Sequence, residues 1–82
     1  MALFHVTVTV TLKPEILDPA GEATQGVLRH LGYALESLRI GRHFDLAVKA
    51  PDADQAKKQA TAMAEELLAH PVMEIFRVEV SS

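Results

Sequence analysis

An α+β fold with the chain order βαββαβ, an antiparallel sheet with two helices on one face, is what this sequence predicts. Two patterns carry the prediction: strict apolar alternation near both ends and in the middle, and two stripes of helical period between those stretches. The length agrees. At 82 residues, 49% of them hydrophobic, residues 1–82 suffice for one domain and leave nothing for a second. A chain this short buries only roughly 60% of the surface its unfolded form exposes, so association with a partner is a natural supplement to its stability.

From Phe4 to Leu12 the residues Phe4, Val6, Val8, Val10 and Leu12 fall on one face, with His5, Thr7, Thr9 and Thr11 on the other, which predicts a strand. The period then changes. Asp18 is placed to cap a helix, Pro19 suits its first turn, and Ala20, Ala23, Val27, Leu28 and Leu31 form its apolar stripe before Gly32 ends it. Leu38 and Ile40 share a face of a short second strand, Gly41-Arg42 reads as a tight hairpin, and Phe44, Leu46, Val48 and Ala50 mark a third strand. Asp52 stands three residues before Gln55, a capping-box spacing, and opens a second helix with Ala56, Ala60, Met63, Ala64, Leu67 and Leu68 inward. Pro71 stops it. A final strand runs from Glu74 to Val80, with Phe76, Val78 and Val80 on one face. With both helices over one side of the sheet, this order is the ferredoxin-like sandwich. The opposite side, carrying the threonines with His43, Asp45, Ala47, Lys49, Arg77 and Glu79, is left uncovered.

Composition removes several function classes. Eight Lys and Arg against eleven Asp and Glu give a net charge of -3 with no block of either sign, which argues against nucleic acid or an anionic membrane as partner. There is no cysteine, hence no disulfide scaffold, thiolate nucleophile or Cys-based metal site. The first residues run straight into the alternating segment without a basic start or apolar leader, so a cytoplasmic location is expected. No Gly-rich phosphate loop occurs, and His5, His30, His43 and His70 lack the spacing of a helical zinc site; this chain is expected to bind no cofactor and no metal. Ser37 lies beside no nucleophile elbow, and Glu65, Glu66 and Glu74 read as ordinary solvated carboxylates, so no catalytic residue is assigned. Gln25-Gly26-Val27 resembles a segment of acylphosphatases, but Arg29 stands one position too early and Gln25 falls inside the helix. A regulatory module of the ACT type shares the fold order, yet the loop from Lys13 to Pro19 lacks the glycine such ligand sites use.

Arg39, Arg42 and Arg77 are placed to converge near one end of the sheet, and arginine favours carboxylate recognition and interface anchoring.

The segments V-T-V-T-L-K, L-D-P-A-G, L-R-H-L-G-Y, R-I-G-R-H-F-D-L and L-L-A-H-P-V-M-E-I-F-R-V-E-V, in this order over nearly the whole chain, resemble the PurS family. Its members are the small subunits of phosphoribosylformylglycinamidine synthase, the formylglycinamide ribonucleotide amidotransferase of purine biosynthesis. The chain departs from the family pattern at Ala20, His70, Ile75 and Phe76 and keeps it at Asp18, Pro19, Gly21, Gly32, Arg39, Gly41 and Pro71. The resemblance implies a non-catalytic adaptor that bridges a glutaminase and a large synthetase subunit and assists ammonia transfer, self-associates as a dimer or tetramer, and leaves ATP and Mg to the rest of the complex. Beside the resemblance, the turn around Arg39, Gly41 and Arg42 and the turn at His70 and Pro71 are expected to face the partners, with Asp18, Pro19, Gly21 and Gly32 as turn and cap residues.

Overall fold

The computed structural model describes residues 1–81. Strand β1 spans Ala2–Leu12, helix α1 Pro19–His30, strand β2 Gly41–Ala50, helix α2 Ala53–Met63 and strand β3 Glu74–Ser81. The α+β class and the antiparallel sheet stand as read, but the order is βαβαβ: a ferredoxin-like plan with three strands, arranged β2-β1-β3. The central strand β1 has an antiparallel neighbour on each side, with Val8 opposite both Phe44 and Val78.

The short strand expected at Leu38 and Ile40 does not form, and Gly41-Arg42 is not a hairpin but the first two residues of β2, Gly41 lying opposite Thr11. The reason lies in where the backbone groups of this segment find partners. The Ile40 N–H donates to Asp18 Oδ2 at 2.8 Å, and the carbonyls of Leu35 and Glu36 accept from the side chains of Arg29 and Gln25. Side chains of α1 and its cap thus occupy groups that a strand would have offered to a ladder.

Helix α2 alone covers the inner face of the sheet. Ala56, Ala60 and Ala64 are fully buried against Val6, Val8 and Val10, and their small size lets the helix seat close to the valines. Asp52 caps it, accepting from the Gln55 N–H at 2.8 Å. Over Ala64–Leu68 the helix widens into a π turn, in which Ala69 N–H donates to Ala64 O at 2.9 Å. That turn rotates the stripe. Met63 and Leu67, expected inward, stand exposed, Leu67 at 84%.

Helix α1 is the second correction. It packs on no strand to any extent, and Ala20, Ala23, Val27 and Leu31 of its apolar stripe face solvent, with only Leu28 half-buried. Its one buried residue is Gly21. The molecule is accordingly long and thin, 51 × 26 × 14 Å.

Candidate functional site

Strand β1 ends, and β2 and β3 begin, at the same edge of the molecule, where Leu12 lies opposite Glu74 and Thr11 opposite Gly41 and Ile75. Arg39, Gly41, Arg42, His70 and Pro71 therefore all lie near this end. They divide between two structures.

The first is a clasp between the loop after β1 and the segment before β2. Asp18 is buried, one carboxylate oxygen accepting from the Gly21 N–H at 3.0 Å and the other from the Ile40 N–H at 2.8 Å. The sequence shows Asp18 as a helix cap, with Pro19 at the first helical position as expected; the second bond, across 22 residues, is tertiary. The Ile40 and Gly21 amides, with Arg39 nearby, hold its carboxyl below the usual aspartate range despite burial. Arg39 donates from Nη2 to the carbonyls of Lys13 at 3.0 Å and Ile16 at 2.8 Å, fastening the same loop. Gly21 is obligatory here: a Cβ would stand 2.4 Å from Asp18 Oδ2 and 2.9 Å from the Leu38 carbonyl. Gly32, in the left-handed region at φ 105°, ends the α1 segment.

The second structure is a groove of about 370 Å³ lined by Arg42, Glu66, Leu67, Leu68, Ala69, His70, Pro71 and Glu74. Its centre is Glu74, whose residue type alone reads as an ordinary solvated carboxylate. Glu74 Oε1 accepts from Arg42 Nη2 at 2.6 Å and from the His70 N–H at 2.7 Å. The His70 amide, then Arg42, holds the Glu74 carboxyl below its ordinary value. His70 Nδ1 accepts from the N–H groups of Val72 and Met73, both at 3.2 Å, so the ring caps the turn that Pro71 shapes. The Arg42 guanidinium also lies 5.7 Å from the centre of the Phe44 ring. One of its partners, His70, is local, four residues away, whereas Arg42 is 32 residues away and is brought to it only by the fold.

One expectation fails. Arg77 does not join the other arginines; it lies opposite Thr9 on the uncovered face, paired with Glu79 at 2.8 Å. Gly41 is required by its own sheet, since a Cβ there would meet Val10 O at 2.5 Å and Thr11 Cγ2 at 2.6 Å. Gln25 and Arg29, the fragment resembling an acylphosphatase, are committed to the carbonyls of Leu35 and Glu36.

The family model described as PurS, phosphoribosylformylglycinamidine (FGAM) synthase, matches residues 5–82. The chain belongs to the PurS family. A PurS subunit of phosphoribosylformylglycinamidine synthase from Synechocystis is 40% identical over 80 residues, covering 96% of this chain and 80% of the relative. Among solved structures, Thermus thermophilus PurS superposes with a TM-score of 0.89 at 36% identity, covering 99% of this chain and 98% of that one. A chain in the PurLQS structure from Thermotoga maritima gives 0.93 at 33% identity, covering 99% and 100%. The fold of the PurS family is therefore the one this chain adopts, with three strands and a projecting α1.

Proposed function

We propose that this chain is the non-catalytic adaptor of a phosphoribosylformylglycinamidine synthase of purine biosynthesis, bridging the glutaminase and the large synthetase subunit and assisting ammonia transfer between them. The complex converts formylglycinamide ribonucleotide, glutamine and ATP to formylglycinamidine ribonucleotide, glutamate, ADP and phosphate. The observation that carries the reading is the full-length match to a chain of the PurLQS structure, with no part of either chain of consequence left over. The chain's own chemistry supports the division of labour. It has no cysteine for a glutaminase thiolate, and its groove-lining arginine and glutamate already neutralise each other. ATP and Mg belong, on this reading, to the synthetase subunit, and the complex works in the cytoplasm.

The end bearing Arg39, Arg42, His70 and Pro71 is the surface offered to partners. Arg39 acts there indirectly, by fixing the loop at Lys13 and Ile16, whereas Arg42, His70 and Pro71 line the open groove. Self-association of the chain completes the adaptor. The test is glutamine-dependent formation of formylglycinamidine ribonucleotide by purified glutaminase and synthetase, with and without this chain. Dependence on the chain is the expected result; equal coupling without it would overturn the reading.

A further inference from the structure

We propose that Glu74 is the positioning residue of the partner surface, its carboxylate holding the Arg42 guanidinium and the His70–Pro71 turn at one fixed spacing for the subunit that docks there. This rests on the adaptor reading above and adds to it the residue through which the surface keeps its shape. Arg42 comes from the start of β2, whereas His70 and Pro71 come from the turn between the π turn and β3. An arginine side chain that is 53% exposed has many rotamers open to it, and ordering it is costly. Glu74 removes that freedom. Its side chain is only 16% exposed, and a single oxygen, Oε1, takes Arg42 Nη2 at 2.6 Å and the His70 N–H at 2.7 Å together. Bonds to a charged acceptor at such lengths are among the strong ones. The Phe44 ring, 5.7 Å from the guanidinium carbon, backs the same placement.

The turn is closed on the same two residues. The His70 carbonyl accepts from the Glu74 N–H at 3.0 Å, and His70 Nδ1 accepts from the Val72 and Met73 N–H groups. Pro71 has no N–H to place. Every amide from His70 to Glu74 thus ends on His70 or Glu74, and the turn behaves as one unit. Met73 O accepts from the Lys13 N–H at 2.9 Å and ties this unit to the end of β1. What ties it to β2 is the Glu74 carboxylate on Arg42. Because Glu74 itself opposes Leu12 in the sheet, the carboxylate is placed by the strand it begins. The need is for an acceptor at the place of Oε1, so reach matters more than charge.

The test titrates purified glutaminase and synthetase with this chain and reads the rate of glutamine-dependent formation of formylglycinamidine ribonucleotide against chain concentration. Each variant is used at a temperature where circular dichroism shows it folded. Glu74→Gln keeps an acceptor at the place of Oε1 and loses the charge; Glu74→Asp keeps the charge and falls one methylene short. Glu74→Gln should stay within about threefold of wild type in half-maximal concentration, while Glu74→Asp and Glu74→Ala raise it about tenfold, the factor carried by one hydrogen bond to a charged group. All should reach the wild-type rate at saturation, since no reacting group is lost. Combining Arg42→Ala with Glu74→Ala should cost less than the product of the two single losses, because Glu74 acts through Arg42. Val8→Ala loosens the core without touching these groups and should leave the half-maximal concentration within about twofold of wild type. Glu74→Gln as damaging as Glu74→Ala, Glu74→Asp equal to wild type, single losses that multiply, or an equal shift with Val8→Ala would overturn the assignment. Coupling that does not need the wild-type chain overturns the adaptor reading and this inference together. Coupling that needs the chain but not Glu74 overturns this inference alone.

Discussion

Two glycines on the same helix give opposite predictions for the same substitution. Gly26 lies mid-helix on α1 with no atom within 4 Å of an added Cβ, so Gly26→Ala removes unfolded-state freedom and should stabilise by about 0.5–1 kcal/mol. Gly21→Ala brings the same propensity gain but places its Cβ 2.4 Å from Asp18 Oδ2, 2.8 Å from its Cγ and 2.9 Å from Leu38 O. The carboxylate is bonded to two amides and the carbonyl is backbone, so neither yields cheaply. Overpacking of this kind costs about 1–3 kcal/mol, and pushing Asp18 aside also breaks the clasp, so the net effect should be destabilising by about 1–2 kcal/mol. The two variants should therefore differ by about 1.5–3 kcal/mol, on the order of 10 °C in midpoint temperature for a domain of this size. Thermal and urea unfolding at one fixed protein concentration measures it, since self-association makes the midpoint concentration-dependent. If Gly21→Ala proves as stable as Gly26→Ala, the clasp of Asp18 on Gly21 and Ile40 does not exist in solution.

Three further outcomes follow from the geometry. Asp18 and Glu74 both have folded-state values held below their ordinary 3.8 and 4.5, so the stability they contribute is fully present above those values and is lost as pH falls through the depressed ones. Acid titration of unfolding should show this loss, and Asp18→Asn should flatten it; an unchanged acid limb would refute the assignment. Val8, fully buried beneath α2, should lose about 2–3 kcal/mol on truncation to alanine, read as a lower urea midpoint with an unchanged slope. Arg42→Ala removes a half-exposed ion pair and should cost less than about 1 kcal/mol in stability, while lowering glutamine-dependent coupling in the reconstituted complex if the groove is a partner contact. Retained coupling in that variant would move the partner surface elsewhere.

Local patterns in the chain carried much of this structure. Alternation in β1, β2 and β3 located the strands, because a half-buried strand imposes a period of two whatever surrounds it. Asp18-Pro19 and Asp52 marked the helix starts for an equally local reason, a side-chain oxygen facing amides two or three residues on. Leu38 and Ile40 satisfy a strand template, yet no strand forms there. What prevents the strand is the set of distant groups on α1 that take its backbone partners.

By itself, then, the sequence determined the α+β class, the places of three strands and two helices, the caps, the absence of thiolate chemistry and the family. Only tertiary structure decided that α1 stands away from the sheet, that Met63 and Leu67 face out, that Arg77 is separated from Arg39 and Arg42, and that Glu74 joins Arg42 to His70. The physical reason is the range of the forces involved. Propensity, period and capping act over a few residues, whereas which apolar face finds a cover and which carboxylate finds an arginine depend on groups brought together from 22 and 32 residues apart.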